Sequence, residues 1–200
     1  MRSTRRLAGA VLLLAAAVLP PRPAQGADDR RVRKGRILYK SGKYQEAIEQ
    51  FRAAVEEDAR NAEAHLWLGL SFSRIAEPEK AVDSLEEARK LDPANEEVYR
   101  SLGTAYLELE GRDTAKGEHA IAKKRLAKAE EVAQELLKRT PKDKESYEYL
   151  IQLAKRQSKL DEALRHCDKV LEIDKNDVST WLERIDILRK QGKGEEAERA

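Results

Sequence analysis

The chain is 200 residues long, with 39 Lys and Arg against 37 Asp and Glu. That balance lacks the basic footprint of a duplex-binding protein, and the single cysteine, Cys167, excludes an intrachain disulfide. Charged residues at 38% and aromatics at 5% suit long amphipathic helices around thin cores.

In chain order, residues 1–26 read as a secretory signal peptide. Arg2, Arg5 and Arg6 precede an uncharged run from Leu7 to Leu19; Pro20, Pro21 and Pro23 break any helix, and Ala24-Gln25-Gly26 offers small residues for cleavage. The run is too short to cross a bilayer comfortably; an uncleaved N-terminal anchor is the alternative. Removing residues 1–26 takes four arginines and no acid, so 35 basic residues face 37 acidic ones and the net charge becomes −2.

Helices are expected next over Asp29–Ser41 and Tyr44–Asp58, then Ala62–Ile75 and Glu79–Leu91. A third pair opens with Glu96–Leu109; extra material around Glu110–Lys123 gives an exposed loop bracketed by Gly111 and Gly117, and from about Glu118 the chain runs into a lengthened second helix ending near Arg139. Lys123, Lys124, Arg125 and Lys128 make that overhang basic, a secondary contact for an acidic partner or a lipid headgroup, or simply a solvated helix end. The fourth pair is Lys144–Gln157 and Leu160–Asp174; Val178–Gln191 and a short helix after Gly194 follow. Val178, Trp181, Leu182, Ile185 and Leu188 form one stripe expected to shield the fourth pair.

Ala47, Ala81, Ala129, Ala163 and Ala197 are separated by 34, 48, 34 and 34 residues. A period near 34 marks a stacked helix-turn-helix array. The units are 28–61, 62–95, 96–143 with a 14-residue insertion, 144–177 and a partial 178–200. With each unit numbered 1 to 34 and its alanine at 20, position 8 is Gly35, Gly69 and Gly103, and position 11 is Leu38, Phe72 and Tyr106. Position 32 is Pro93 and Pro141; position 34 is Asn61, Asn95, Asp143 and Asp177, residues that cap the following helix.

These residues resemble the tetratricopeptide repeat, whose pattern is W-x2-L-G-x2-Y, then A-x3-F, then P. The second unit reads His65, Leu68-Gly69, Phe72, Ala81, Leu85 and Pro93, and the fifth carries Trp181 at the tryptophan position. The fourth departs, with Ile151 for glycine and Cys167 for phenylalanine. The resemblance implies an all-α, right-handed α-solenoid of antiparallel helix pairs with a concave groove for a protein or peptide partner. In such proteins the first helix of each pair lines the groove through positions 2, 5, 6, 9, 12 and 13. Carried over, these give a strip across the first three units with Leu66, Trp67, Leu70, Tyr39 and Leu107, flanked by Arg36 and Arg74. Val32 lies at position 5 beside them. The carboxylate-clamp positions of chaperone-binding members hold Val32, Arg36, Trp67, Glu97 and Ser101, a poor match.

No catalytic or metal constellation stands out. His166 and Cys167 are successive helix positions and diverge by about 100°, and C-x-x-C, H-E-x-x-H and glycine-rich phosphate loops are missing from the sequence. The expectation is a non-enzymatic scaffold or adaptor without cofactor, metal or nucleic acid, exported to a bacterial periplasm or envelope, with no membrane span after cleavage. The alternatives are an accessory subunit of an envelope enzyme or assembly complex, and an N-terminal fragment of a larger repeat enzyme.

Overall fold

The structure is a computed structural model that describes residues 25–198, with side chains from residue 30. The expected signal segment, residues 1–26, lies outside the described residues apart from Gln25 and Gly26. The described residues form ten α-helices: α1 Gln25–Lys40, α2 Tyr44–Glu57, α3 Ala62–Arg74, α4 Pro78–Leu91, α5 Glu96–Ala115, α6 His119–Arg139, α7 Lys144–Arg156, α8 Leu160–Ile173, α9 Val178–Lys190 and α10 Gly194–Glu198. Odd and even helices pair as antiparallel hairpins, and each pair stacks on the next. The odd helices also touch one another, α1 with α3 and α3 with α5, while the even ones have no comparable contact among themselves. The inner row of a curved stack is the crowded one, so the odd helices line the concave side.

The period is a packing rule. All five position-20 alanines are buried, Ala47, Ala81, Ala129 and Ala163 completely. A Cβ on Gly35 would stand 2.5 Å from the Phe51 ring, and one on Gly69 would stand 2.5 Å from Leu85 Cγ and 3.1 Å from the Ala81 carbonyl. Small residues at positions 8 and 20 therefore let two helices approach, and the large residue at position 24 fills the remaining space.

Unit boundaries are built from caps. Asn61, Asn95, Asp143 and Asp177 accept bonds from the amides of Ala64, Glu97, Ser146 and Thr180, at 2.8, 3.1, 3.0 and 3.1 Å. Position 4 adds a second recurring bond that satisfies a carbonyl beyond the preceding helix. The tips of His65, Tyr99, Tyr147 and Trp181 reach the carbonyls of Ala59, Pro93, Pro141 and Lys175 at 3.0–3.2 Å. Inside each pair the chain turns through a left-handed residue: Gly42, Ala76, Gly117, Ser158 and Gly192.

Two caps are also ion-paired. Asp143 lies 2.9 Å from Arg100, and Asp177 contacts Lys144. Burial raises the Asp143 pKa, but bonds from Ser146 and Arg100 outweigh it and leave the group below its ordinary value. Asp177 is held lower still, first by Lys144, then by Ser179 and the Thr180 amide. A depressed native pKa contributes stability above the unfolded value of about 3.9 and loses it as pH falls through the native value. Asp177→Asn keeps a capping side chain but removes this charge. Its urea midpoint should be lower than the parent's at neutral pH, and the gap should begin to narrow only as pH falls below about 4. A constant gap across that range would contradict the assignment.

The insertion differs from the expected loop. Helix α5 has 20 residues against 13 in α3, and α6 has 21 against 14 in α4. The 14 extra residues thus divide into seven per helix. Seven residues are nearly two turns, so each helix lengthens while keeping its face toward its partner. Gly111 sits within α5, and only residues 116–118 form the turn. Arg112 bonds Glu79 at 2.8 Å, and Arg156 pairs with the buried Glu110, which ties the extension to both neighbouring units.

The expected α9 stripe is also corrected. Ile187 is fully buried and Leu188 nearly so, but Val178 is 68% and Leu182 63% exposed. Positions 3 and 10 face the preceding unit: Ala64, Val98, Ser146 and Thr180 are buried at the first, and Ser71, Ala105, Leu153 and Ile187 at the second. Val178 and Leu182 belong to the opposite face, which in interior units meets the next pair. Ile37, at position 10 of the first described unit, is 67% exposed for the mirror-image reason.

Candidate functional site

Four of the expected groove residues form one cluster. The Trp67 ring, on α3, lies edge-on to Tyr39 of α1 at 5.3 Å and stacks on Phe51 of α2 at 6.2 Å. The Arg36 guanidinium sits 5.2 Å over the indole and bonds Glu63 at 3.1 Å, while the indole N–H bonds the same carboxylate at 3.2 Å. Arg74 donates to the Tyr39 hydroxyl at 3.0 Å and remains exposed. Tyr39, Trp67, Leu70 and Leu107 are partly buried against the core, each with one side open.

Leu66 does not belong to this exposed strip. It is 6% exposed, and Val32, at the same position of the first unit, is 4% exposed. Position 5 turns toward the neighbouring unit whenever its side chain is apolar. The expectation treated positions 5 and 6 as equally open, whereas only position 6 presents its ring to the groove.

The basic overhang is half-neutralised. Arg125 lies 3.5 Å from the buried Asp113, and Lys128 pairs with Glu131 at 2.8 Å, leaving Lys123 and Lys124 exposed. Cys167 is fully buried and its thiol is pushed up to about 12, chiefly by burial. Half-buried His166 packs on Tyr147, 6.1 Å between rings, and burial lowers its pKa. No cluster of metal-binding side chains occurs among the described residues, and no described helix is long and apolar enough to cross a membrane.

A second concave feature escaped sequence reasoning. Position 24 of the third unit is Ala133, where the first two units have Phe51 and Leu85. The space beside Gly103 is therefore left open by its own hairpin. Tyr149 of α7 leans into it instead, with ring atoms 2.9 Å from where a Gly103 Cβ would stand. A cleft of about 190 Å³ remains, bounded by Tyr99, Arg100 and Thr104 of α5, Ala133 and Leu136 of α6, and Glu145, Ser146 and Tyr149 of α7. The junction of α6 with α7 is the most sparsely packed of the four between successive units. The alanine in place of a large residue was the signal in the sequence.

Comparison with known proteins gives the family. Profiles described as "TPR repeat" and "Tetratricopeptide repeat" match residues 35–75, 63–95 and 114–178. The peroxisomal targeting signal receptor of Kluyveromyces lactis is 35% identical over 80 residues, which are 40% of this chain; the chain spans only 14% of that receptor's length. Among solved structures, YrrB, described as a TPR protein with an unusual peptide-binding site, aligns with TM-score 0.68 and 19% identity over 84% of this chain and 79% of its own. MamA residues 41-end from Desulfovibrio magneticus RS-1 align with TM-score 0.74 and 14% identity over 88% and 92%. At these identities the likeness to solved structures is one of fold. The chain belongs to the tetratricopeptide-repeat proteins, a right-handed all-α superhelix that serves as a protein–protein interaction scaffold.

Proposed function

We propose that this scaffold is exported to a bacterial envelope and holds a segment of a partner protein in its concave groove, without chemistry of its own. The observation that carries the reading is the Trp67 cluster. Trp67, Tyr39 and the stems of Arg36 and Arg74 present aromatic and apolar surface rimmed by charge on the inner face, the composition of interaction hot spots. YrrB, a protein of the same fold, is described as having a peptide-binding site, which supports a groove occupant of this kind.

Placement of the partner is tested by photocrosslinking in envelope fractions. Benzoylphenylalanine in place of Leu107, in the groove, should capture the partner, and the same group in place of Lys90, exposed on α4, should not. Capture from Lys90 alone would place the partner on the convex side.

Export rests on residues 1–26. Mass spectrometry of exported protein should find an N-terminus near Ala27, which leaves α1 all but its first two residues. Intact Met1 would contradict cleavage.

A further inference from the structure

We propose that the cleft between α5, α6 and α7 is a subsite for a cationic side chain, an arginine or lysine, of the bound partner segment. This deepens the groove reading and rests on it. Two unit junctions that occupy equivalent places in the repeat differ at position 9, and also at positions 5 and 24, where Val32 and Phe51 of the first unit are Arg100 and Ala133 in the third.

At the junction of units 1 and 2, position 9 of the first unit is Arg36, and positions 2 and 6 of the second are Glu63 and Trp67. The guanidinium fills the site: it lies over the Trp67 ring at 5.2 Å and 3.1 Å from Glu63. At the junction of units 3 and 4 the same positions are Thr104, Glu145 and Tyr149. The carboxylate and the aromatic ring recur, but a threonine stands where the cation stood. Thr104, Glu145 and Tyr149 all border the cleft, so an open space lies where the first junction holds its own arginine side chain.

The chemistry of the walls agrees. The Tyr149 hydroxyl is buried and has no hydrogen-bond partner among the described residues, a costly state that an outward turn of the ring toward an incoming N–H donor would relieve. Burial also raises its pKa, so it stays a neutral phenol able to accept a bond. Glu145 is 74% exposed, with Arg100 3.3 Å away. That guanidinium also meets Asp143 at 2.9 Å and Glu96 at 3.3 Å. Three carboxylates around one cation leave a local excess of negative charge, which disfavours an acidic ligand and favours a basic one. Leu136, Ala133 and the Tyr99 and Tyr149 rings give an apolar channel for the aliphatic stem, and an aromatic wall attracts a cation.

The test uses Nα-acetyl-arginine methylamide as probe, with its neutral isostere Nα-acetyl-citrulline methylamide, titrated into the ¹⁵N-labelled protein. The arginine probe should shift the amides of Thr104, Ser146 and Tyr149 with millimolar affinity, and the citrulline probe should leave them in place. Glu145→Gln should weaken the arginine probe by about threefold or more, the scale of a partly exposed charge pair. Tyr149→Phe should weaken the probe yet raise the urea midpoint, because it deletes an unpaired buried hydroxyl; a purely structural tyrosine would not separate the two. Thr104→Arg should abolish probe binding by filling the cleft with a guanidinium from position 9, as Arg36 does at the first junction. Thr104 and Glu145 are exposed, and the same spectra report that each variant is folded. Equal shifts from citrulline, no shift from arginine, or unchanged binding by Thr104→Arg would each overturn the subsite. These outcomes leave the Trp67 reading untouched, since that is tested with the partner and at the other end of the groove.

Discussion

Ala81→Leu should lower the stability of the array by about 1–3 kcal/mol, the scale of overpacking in a filled core. Ala81 is fully buried, and its carbonyl lies 3.1 Å from where a Cβ on Gly69 would stand. Leu85 already closes the space on the other side, 2.5 Å from the same point. A leucine at position 20 has no free volume to enter, so α3 and α4 must part. The effect extends beyond one hairpin, because each unit is held by its neighbours and a weakened central unit uncouples those on either side. Urea denaturation followed by circular dichroism reads the loss. Ala127→Leu, on the exposed face of α6, is the control and should leave the midpoint in place. If Ala81→Leu matched that control, the assignment of the alanine period to helix contacts would be wrong.

Most of the fold is legible in the sequence because it depends on few residues at fixed spacing. The alanine at position 20 and the Asn or Asp cap at position 34 recur from unit to unit, joined in the first two by glycine at position 8 and a large residue at position 24, and they set most helix boundaries within a residue or two. The third unit departs from its expected form because local signals compete there. Gly111 looks like a loop residue, yet the seven added residues per helix preserve the apolar face, and packing across the pair overrides the local propensity. The α9 stripe differs for another reason. A repeat helix carries two apolar faces, one for each neighbour, and a count of apolar residues at helical spacing cannot tell which neighbour a face meets. Ile187 is core and Leu182 is exposed for that reason.

The groove is partly legible. Arg36, Tyr39, Trp67 and Arg74 follow from the groove positions that the family resemblance implies, and they do converge. Leu66 falls outside the strip, since adjacent positions on a helix turn different ways. Tyr149 and its cleft escape a sequence reading because the cause lies in a different helix: Ala133 on α6 is what leaves room for a side chain on α7. A reading of the first helices alone cannot register a gap made by the second ones.

Trp67 carries the largest expected effect on binding. Its ring is held by Phe51 stacked on it, by the Arg36 guanidinium 5.2 Å over it, by Tyr39 at its edge and by Glu63 on its N–H, so little rotamer freedom is lost when a partner covers the part that stays exposed. A rigid, partly buried indole with an arginine over its ring combines two of the residue types in which hot spots are enriched. Arg74, exposed at the rim, should matter less, and Arg74→Ala should mainly flatten the response to salt. The groove's role is tested most directly by titrating the crosslinked partner, once purified, against the parent and Trp67→Ala, with circular dichroism first showing that the variant is folded. The predicted result is a loss of about 2 kcal/mol or more, roughly thirtyfold in Kd. Equal affinity for the two proteins would contradict it and would move the search to the exposed Lys123 and Lys124 on the α6 extension.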